Sequence, residues 1–155
     1  MRERPSRFNS QAAEAHRAIE RLASQFALTM VSSEEDTWGL TLLFQNSTTG
    51  LQLQYSPGEQ DCWRAVLGRL VNGSFPKHPI HITQATDLQR FDLQDLATER
   101  VQEIPEYEEK VLSMAPLSVA ELAEIASRSA SDVLAGDFSV FSALRLRVLA
   151  RAQAT

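Results

Sequence analysis

A period of two in the apolar residues over 38–45, repeated over 51–56, is the strongest constraint in this chain. Trp38, Leu40, Leu42 and Phe44 alternate with Gly39, Thr41, Leu43 and Gln45. Side chains on a strand point to opposite faces in turn, so a period of two over eight residues predicts a half-buried strand. Asn46-Ser47-Thr48-Thr49-Gly50 is a loop of hairpin length with glycine at its end. Leu51, Leu53 and Tyr55 then alternate with Gln52, Gln54 and Ser56, which predicts a second strand with a polar outer face. Strands joined by so few residues pair antiparallel, because a parallel crossover needs a dozen residues or more. Pro57-Gly58 marks the next turn. Residues 62–71 read as another strand, ended by Asn72-Gly73-Ser74. Ahead of the alternation, Leu28-Thr29-Met30-Val31 is short and β-prone, and Ser32-Ser33-Glu34-Glu35-Asp36 reads as a polar break after it. The expectation is an antiparallel meander of about four strands.

The flanking segments carry a helical period instead. Ala12, Ala15, Ile19, Leu22 and Phe26 recur at spacings of three and four, which predicts a one-sided helix over 10–26, with Asn9 or Ser10 as its cap. Residues 75–86 contain two prolines and read as a loop crossing to the second half. From Asp92 the spacing of Leu93, Leu96, Ala97, Val101 and Ile104 predicts another helix. Pro105 opens a short one over 105–114. Ser118-Val119-Ala120-Glu121 is a capping box, in which serine and glutamate satisfy each other's backbone N–H. Val119, Leu122, Ala126, Ala130 and Val133 follow on one face, and Gly136 suits a left-handed C-cap. Asp137 or Ser139 is placed to cap a last helix with Phe141, Leu144 and Val148 inside.

Together these elements predict the α+β class. An N-terminal helix packs on a roughly four-stranded antiparallel meander, and a C-terminal cluster of three to four helices follows. One domain over residues 1–155 is expected, with residues 1–9 as a flexible tail. Composition agrees, with apolar residues at 43% and charged residues at 23%, too apolar for intrinsic disorder. No apolar stretch follows the charged N-terminus and no run reaches the length of a membrane span. The single cysteine, Cys62, excludes an intramolecular disulfide. A cytoplasmic protein is expected, without a membrane partner.

The residues narrow the chemistry mainly by what is missing from them. Six glycines are scattered and none forms a phosphate-binding loop, so no nucleotide cofactor is expected. His78 and His81 are separated by Pro79. In extended backbone residues three apart point to opposite faces, so no metal is expected there. A nucleophilic site would need Cys62 with His78 or His81, but a cysteine inside a strand is more often a small buried residue. The net charge of −5, from 15 basic and 20 acidic residues, opposes a phosphate backbone. Arg64 and Arg69 near Trp63, and Arg145, Arg147 and Arg151, form no continuous basic stripe, so no nucleic acid is expected.

Two acidic groups remain as candidate partner-binding residues: Glu34, Glu35 and Asp36 at a hairpin tip, and Glu106, Glu108 and Glu109 in the helical half. Like charges held close favour a cationic partner that relieves their repulsion. Trp63 is the expected aromatic anchor if its face is exposed.

The run Leu134-Ala135-Gly136-Asp137-Phe138-Ser139-Val140-Phe141-Ser142-Ala143-Leu144 resembles the ending of small uncharacterised bacterial proteins. The order of sheet and then helices is similar to that of immunity proteins of bacterial toxin systems. That resemblance implies a non-enzymatic inhibitor which occludes a basic toxin, and no functional residue carries over from it. The alternatives are a small enzyme using Cys62 with a loop histidine, and a structural subunit such as a homodimer.

Overall fold

The computed structural model of the chain describes residues 7–58, 62–77 and 88–154. The first helix, α1, spans Asn9–Phe26 and buries Ala15, Ile19 and Leu22, the stripe its spacing predicts. Neither Asn9 nor Ser10 caps it. Phe8 is the N-cap, and it makes no side-chain cap bond. The Phe8 ring instead drops into the core and meets Tyr55 edge-on at 5.8 Å. The end of the expected tail, from Phe8 to Asn9, therefore belongs to the fold; residues 1–6 lie outside the described residues.

Five antiparallel strands follow in the order of the chain: β1 (Thr29–Asp36), β2 (Gly39–Gln45), β3 (Thr49–Ser56), β4 (Cys62–Arg69) and β5 (Arg90–Asp92). Two of these differ from the expected meander. β1 runs straight through Ser32–Asp36, which reads as a break in the sequence. As an edge strand it needs no apolar face, and seven of its eight residues are exposed. β5 is a fifth strand of three residues, too short for any period to show.

Register sets one apolar face. Leu42 pairs with Leu53 and Leu53 with Ala65, while Tyr55 pairs with Trp63 and Leu67 with Phe91. Directly paired residues share a face, so these side chains form a continuous floor, and all of them are buried. Each large side chain so buried contributes roughly 1.5–3 kcal/mol. On the opposite face Gly50 and Gly68 admit Phe75 and Pro76. A Cβ on Gly50 would sit 2.3 Å from the Phe75 ring, and one on Gly68 would sit 2.8 Å from it. Arg90 fastens this segment: its guanidinium lies 5.1 Å from the Phe75 ring centre and donates to the Pro76 carbonyl at 3.2 Å.

The helical half covers the apolar floor. It comprises α2 (Leu93–Glu99), two 3-10 turns at Val101–Glu103 and Pro105–Tyr107, α3 (Glu108–Leu112), α4 (Val119–Ser129), α5 (Ser131–Leu134) and α6 (Phe141–Gln153). The expected helix from Asp92 ends at Glu99 and continues only as a 3-10 turn. The one expected over 105–114 is likewise a 3-10 turn followed by five α-helical residues. The capping box forms as predicted: Glu121 N–H donates to Ser118 Oγ and Ser118 N–H to the Glu121 carboxylate, each at 3.1 Å. Gly136 is left-handed at φ 96°. Val140, not Asp137 or Ser139, is the N-cap of α6, and Phe141 and Leu144 are its buried residues. Asp137 instead accepts from the Ser139 N–H and hydroxyl, ordering the turn ahead of the helix. Among the described residues no helix is long and apolar enough to cross a membrane.

Candidate functional site

Thr37 and Trp38 form the two-residue turn between β1 and β2, with Asp36 paired to Gly39. Asp36 Oδ1 accepts the N–H of Trp38 at 2.7 Å and of Gly39 at 2.9 Å. A short acidic side chain bonding its own backbone two residues on is a strong turn former. Gly39 is required by space: a Cβ there would stand 2.0 Å from the Tyr55 carbonyl oxygen. The turn is therefore held from both sides, and Trp38 projects from it 81% exposed. A tryptophan fixed in water on an ordered turn brings a large apolar surface to a contact at little cost in conformational entropy.

The acidic residues of β1 do not act as one cluster. Alternation puts Glu34 and Asp36 on one face of the strand and Glu35 on the other. All three are exposed. They lie along a strand that leads into the turn, rather than at its tip, where only Asp36 stands.

The second acidic group sits in the helical half, and part of its charge is already balanced. Glu106 is bonded to Arg128, whose guanidinium also donates to the Glu103 carbonyl at 2.8 Å. That hydrogen bond holds the Glu106 carboxyl below the usual carboxylate range, with a backbone bond helping. Next to it the Tyr107 hydroxyl donates to Glu124 at 2.5 Å, and this bond is the main reason its pKa is pushed up to about 12. These contacts tie the turn at 105–107 to α4. Glu108 and Glu109 remain exposed in the first turn of α3, where negative charge suits the helix dipole.

Trp63 requires a correction. It is 7% exposed, packs on Tyr55 with ring centres 5.0 Å apart, and bridges by its backbone to Leu117. It belongs to the core and cannot anchor a partner. Trp38, whose face the sequence leaves open, stands in the turn before β2 and is the exposed tryptophan. The signal for this was present: Asp36-Thr37-Trp38-Gly39 has aspartate first and glycine fourth, the preferred ends of a tight turn.

Cys62 is also reversed from expectation, because it opens β4 on the outer face and is exposed. His78 and His81 lie outside the described residues, and so does any pairing of Cys62 with them. His16 lies on α1 with its ring 5.4 Å from Phe44. Among the described residues no group of three or more His, Cys, Asp or Glu side chains could hold a metal ion.

The five arginines weighed as a basic stripe, Arg64, Arg69, Arg145, Arg147 and Arg151, are engaged within the fold. Arg64 makes a two-pronged bond to Asp92 at 2.7 and 2.5 Å. Arg151 does the same with Asp95 at 3.0 and 2.9 Å, and Arg147 reaches Glu99 at 2.7 Å. Arg145 donates to the Leu88 carbonyl and Arg69 lies over the Phe138 ring.

Compared with known proteins, the chain matches no family model, no curated protein and no solved structure.

Proposed function

We propose that this chain is a non-enzymatic protein-binding module that works in the cytoplasm, in the manner of an immunity-type inhibitor that occludes a basic protein. The contact surface in this reading is the β1–β2 hairpin. One observation carries it: Trp38 stands 81% exposed on a turn fixed by Asp36 and Gly39. Tryptophan is the residue type most enriched among the few side chains that dominate binding energy. Glu34 and Asp36 on the adjoining strand give the surface a negative field that speeds and orients the approach of a cationic partner. The mechanism is occlusion, and no covalent step is needed.

Affinity capture from the native host tests this reading. Wild-type protein should retain one basic partner in stoichiometric amount, and retention should weaken as salt rises. Trp38→Ala should weaken binding by about thirtyfold or more, the effect of losing a central aromatic anchor. A partner retained equally by wild type and Trp38→Ala would overturn the assignment of the surface. Failure to retain any stoichiometric partner would overturn the function.

A further inference from the structure

We infer that Asn72 is a modification site: its side-chain amide is lost to water through a cyclic imide, and the residue becomes isoaspartate. Water is the only other reactant. Leu40 pairs with Tyr55 and Tyr55 with Trp63 at the end of the sheet that carries the Trp38 turn, and β4 runs from there to Arg69. Asn72 follows at the opposite end, so the site is independent of the proposed contact surface.

The turn demands the same two residues that react. Val71 and Ser74 exchange backbone hydrogen bonds at 2.9 and 3.1 Å across Asn72 and Gly73, whose φ values are 52° and 77°. A two-residue hairpin turn with both φ positive favours Asn-Gly, because asparagine tolerates the left-handed region and glycine has no Cβ to clash there. That pair is also the most open to imide formation. Gly73 brings no side chain beside its nitrogen. A Cβ there would meet no atom within 4 Å, and both residues are exposed. The Asn72 side chain makes no hydrogen bond among the described residues.

Hydroxide removes the Gly73 amide proton, and that nitrogen attacks Asn72 Cγ. The N–Cγ bond forms, the Cγ–Nδ2 bond breaks, and Nδ2 leaves as ammonia with a proton from water, which restores the hydroxide. Water then opens the imide ring. Addition at Cγ gives aspartate. Addition at the main-chain carbonyl of Asn72 leaves the chain running through Cγ, which is isoaspartate, with an extra atom in the main chain. Either way a neutral amide becomes a carboxylate, and the formal net charge of −5 becomes more negative.

The folded turn slows this reaction without preventing it. Ring closure eclipses Asn72 Cβ with the Gly73 nitrogen about the Cα–C bond, whereas left-handed backbone holds the two apart. The turn must therefore open first. It is held by the two Val71–Ser74 bonds, with Gln45 Nε2 reaching the Gly73 carbonyl at 3.4 Å. Breaking two ordinary hydrogen bonds slows the reaction by about a hundredfold at most relative to the unfolded chain. Asn46 is the contrasting case. Its Nδ2 donates to the Phe26 and Leu134 carbonyls at 2.9 Å each, and its Oδ1 accepts the N–H of Thr48 and Thr49. Its amide is fixed, and Ser47 rather than glycine follows it. Asn9, the remaining asparagine, is followed by Ser10 in the first turn of α1.

The product decides what happens to the fold. Aspartate keeps the turn, because it too tolerates the left-handed region. Isoaspartate does not, since the extra main-chain atom puts Val71 and Ser74 out of register. Phe75 follows directly and lies against Gly50 and Gly68, so the isoaspartyl form loosens the cover on the outer face of β3 and β4.

The test holds the intact protein at mildly alkaline pH and samples it over time. A more acidic species should separate by anion exchange. Peptide mass spectrometry should map its change to Asn72, and an isoaspartyl methyltransferase should label it. It should form faster as pH rises, since the attacking nitrogen must lose its proton. Asn46 should react only in urea, while Asn72 should speed up in urea by about a hundredfold or less. Asn72→Gly keeps the turn, because Gly-Gly suits the same turn type, and should form no such species. In the purified isoaspartyl form the Val71 and Ser74 amide hydrogens should exchange about tenfold faster or more. No conversion of Asn72 in the folded protein, reaction of Asn46 ahead of it, the same acidic species from Asn72→Gly, or aspartate without isoaspartate would each overturn the inference. Unchanged exchange at Val71 and Ser74 in the isoaspartyl form would overturn its effect on the turn.

Discussion

At one edge of the sheet β5 is three residues long, and α2 begins directly after it. Asp92, Asp95 and Glu99 recur at spacings of three and four, and each is met by an arginine: Arg64 from β4, and Arg151 and Arg147 from α6. At the other edge β1 is eight residues long, seven of them exposed, and its Glu34 and Asp36 take part in no ion pair among the described residues. An unprotected strand edge is a hazard that folds normally blunt with charge, bulges or a covering segment. Here both kinds of device are visible, divided between the two edges. The β5 edge is shortened and bound into the helical layer by ion pairs. The β1 edge keeps its length and carries charge and a bulge. The contrast is consistent with the proposal, carried by Trp38, that the contact surface lies at the β1–β2 hairpin.

The comparison breaks most readily at α6, whose docking secures the β5 edge. Phe141 is 1% exposed, with ring centres 4.7 Å from Phe91 and 5.1 Å from Phe138. Phe141→Ala should therefore cost about 3–5 kcal/mol of stability in urea unfolding, through lost burial and the cavity left behind. A cost below about 1 kcal/mol would mean that α6 is not seated on the sheet, and the β5 edge would then be no better protected than β1.

A smaller effect sharpens the same contrast. Asp95 is 6% exposed and gives both carboxylate oxygens to Arg151, whose side chain remains largely in solvent. Asp95→Asn removes the charge while keeping the shape. The expected loss is about 1–2 kcal/mol, near the range for a hydrogen bond to a charged group with part of it screened. The mate in a double-mutant cycle is Arg151→Gln, and the two losses should fall clearly short of additive. Strict additivity would show that the arginines of α6 merely lie near α2 without holding it.

The residues of the covered face were easy to read, and those of the open edge were not. β2 and β3 follow from strict alternation because one face is buried and the other wet, and the helix over Val119–Ser129 follows from its capping box. β4 carries buried apolar residues on both faces, Ala65, Val66 and Leu67 in succession. A period of two is lost there, and with it the inward direction of Trp63. β1 is the opposite case. A strand with neither face buried has no apolar pattern, so Ser32–Asp36 reads as a break even though hairpin pairing holds it extended. The ion-paired ladder was not read from the sequence, although Asp92, Asp95 and Glu99 recur at spacings of three and four. Which partner each would find depended on how the helices pack, and no local pattern contains that. Of the candidate site, the acidic residues were legible as a group but not as part of a strand, and the exposed tryptophan is Trp38 and not Trp63.

The smallest expected effect on stability tests the open edge most directly. Trp38 has its ring in water, and the turn beneath it is held by backbone N–H bonds to Asp36 that do not involve the indole. Trp38→Ala should therefore change the free energy of unfolding by no more than about 0.5 kcal/mol, the usual range for a surface substitution. The same variant isolates Trp63, so its fluorescence should shift to shorter wavelength and resist quenching by acrylamide, as a buried indole beside Tyr55 requires. If the variant instead lost stability comparable to Phe141→Ala, Trp38 would be a packed residue. The hairpin would then be one more covered edge, and the difference between the two sides of the sheet would no longer point to a partner.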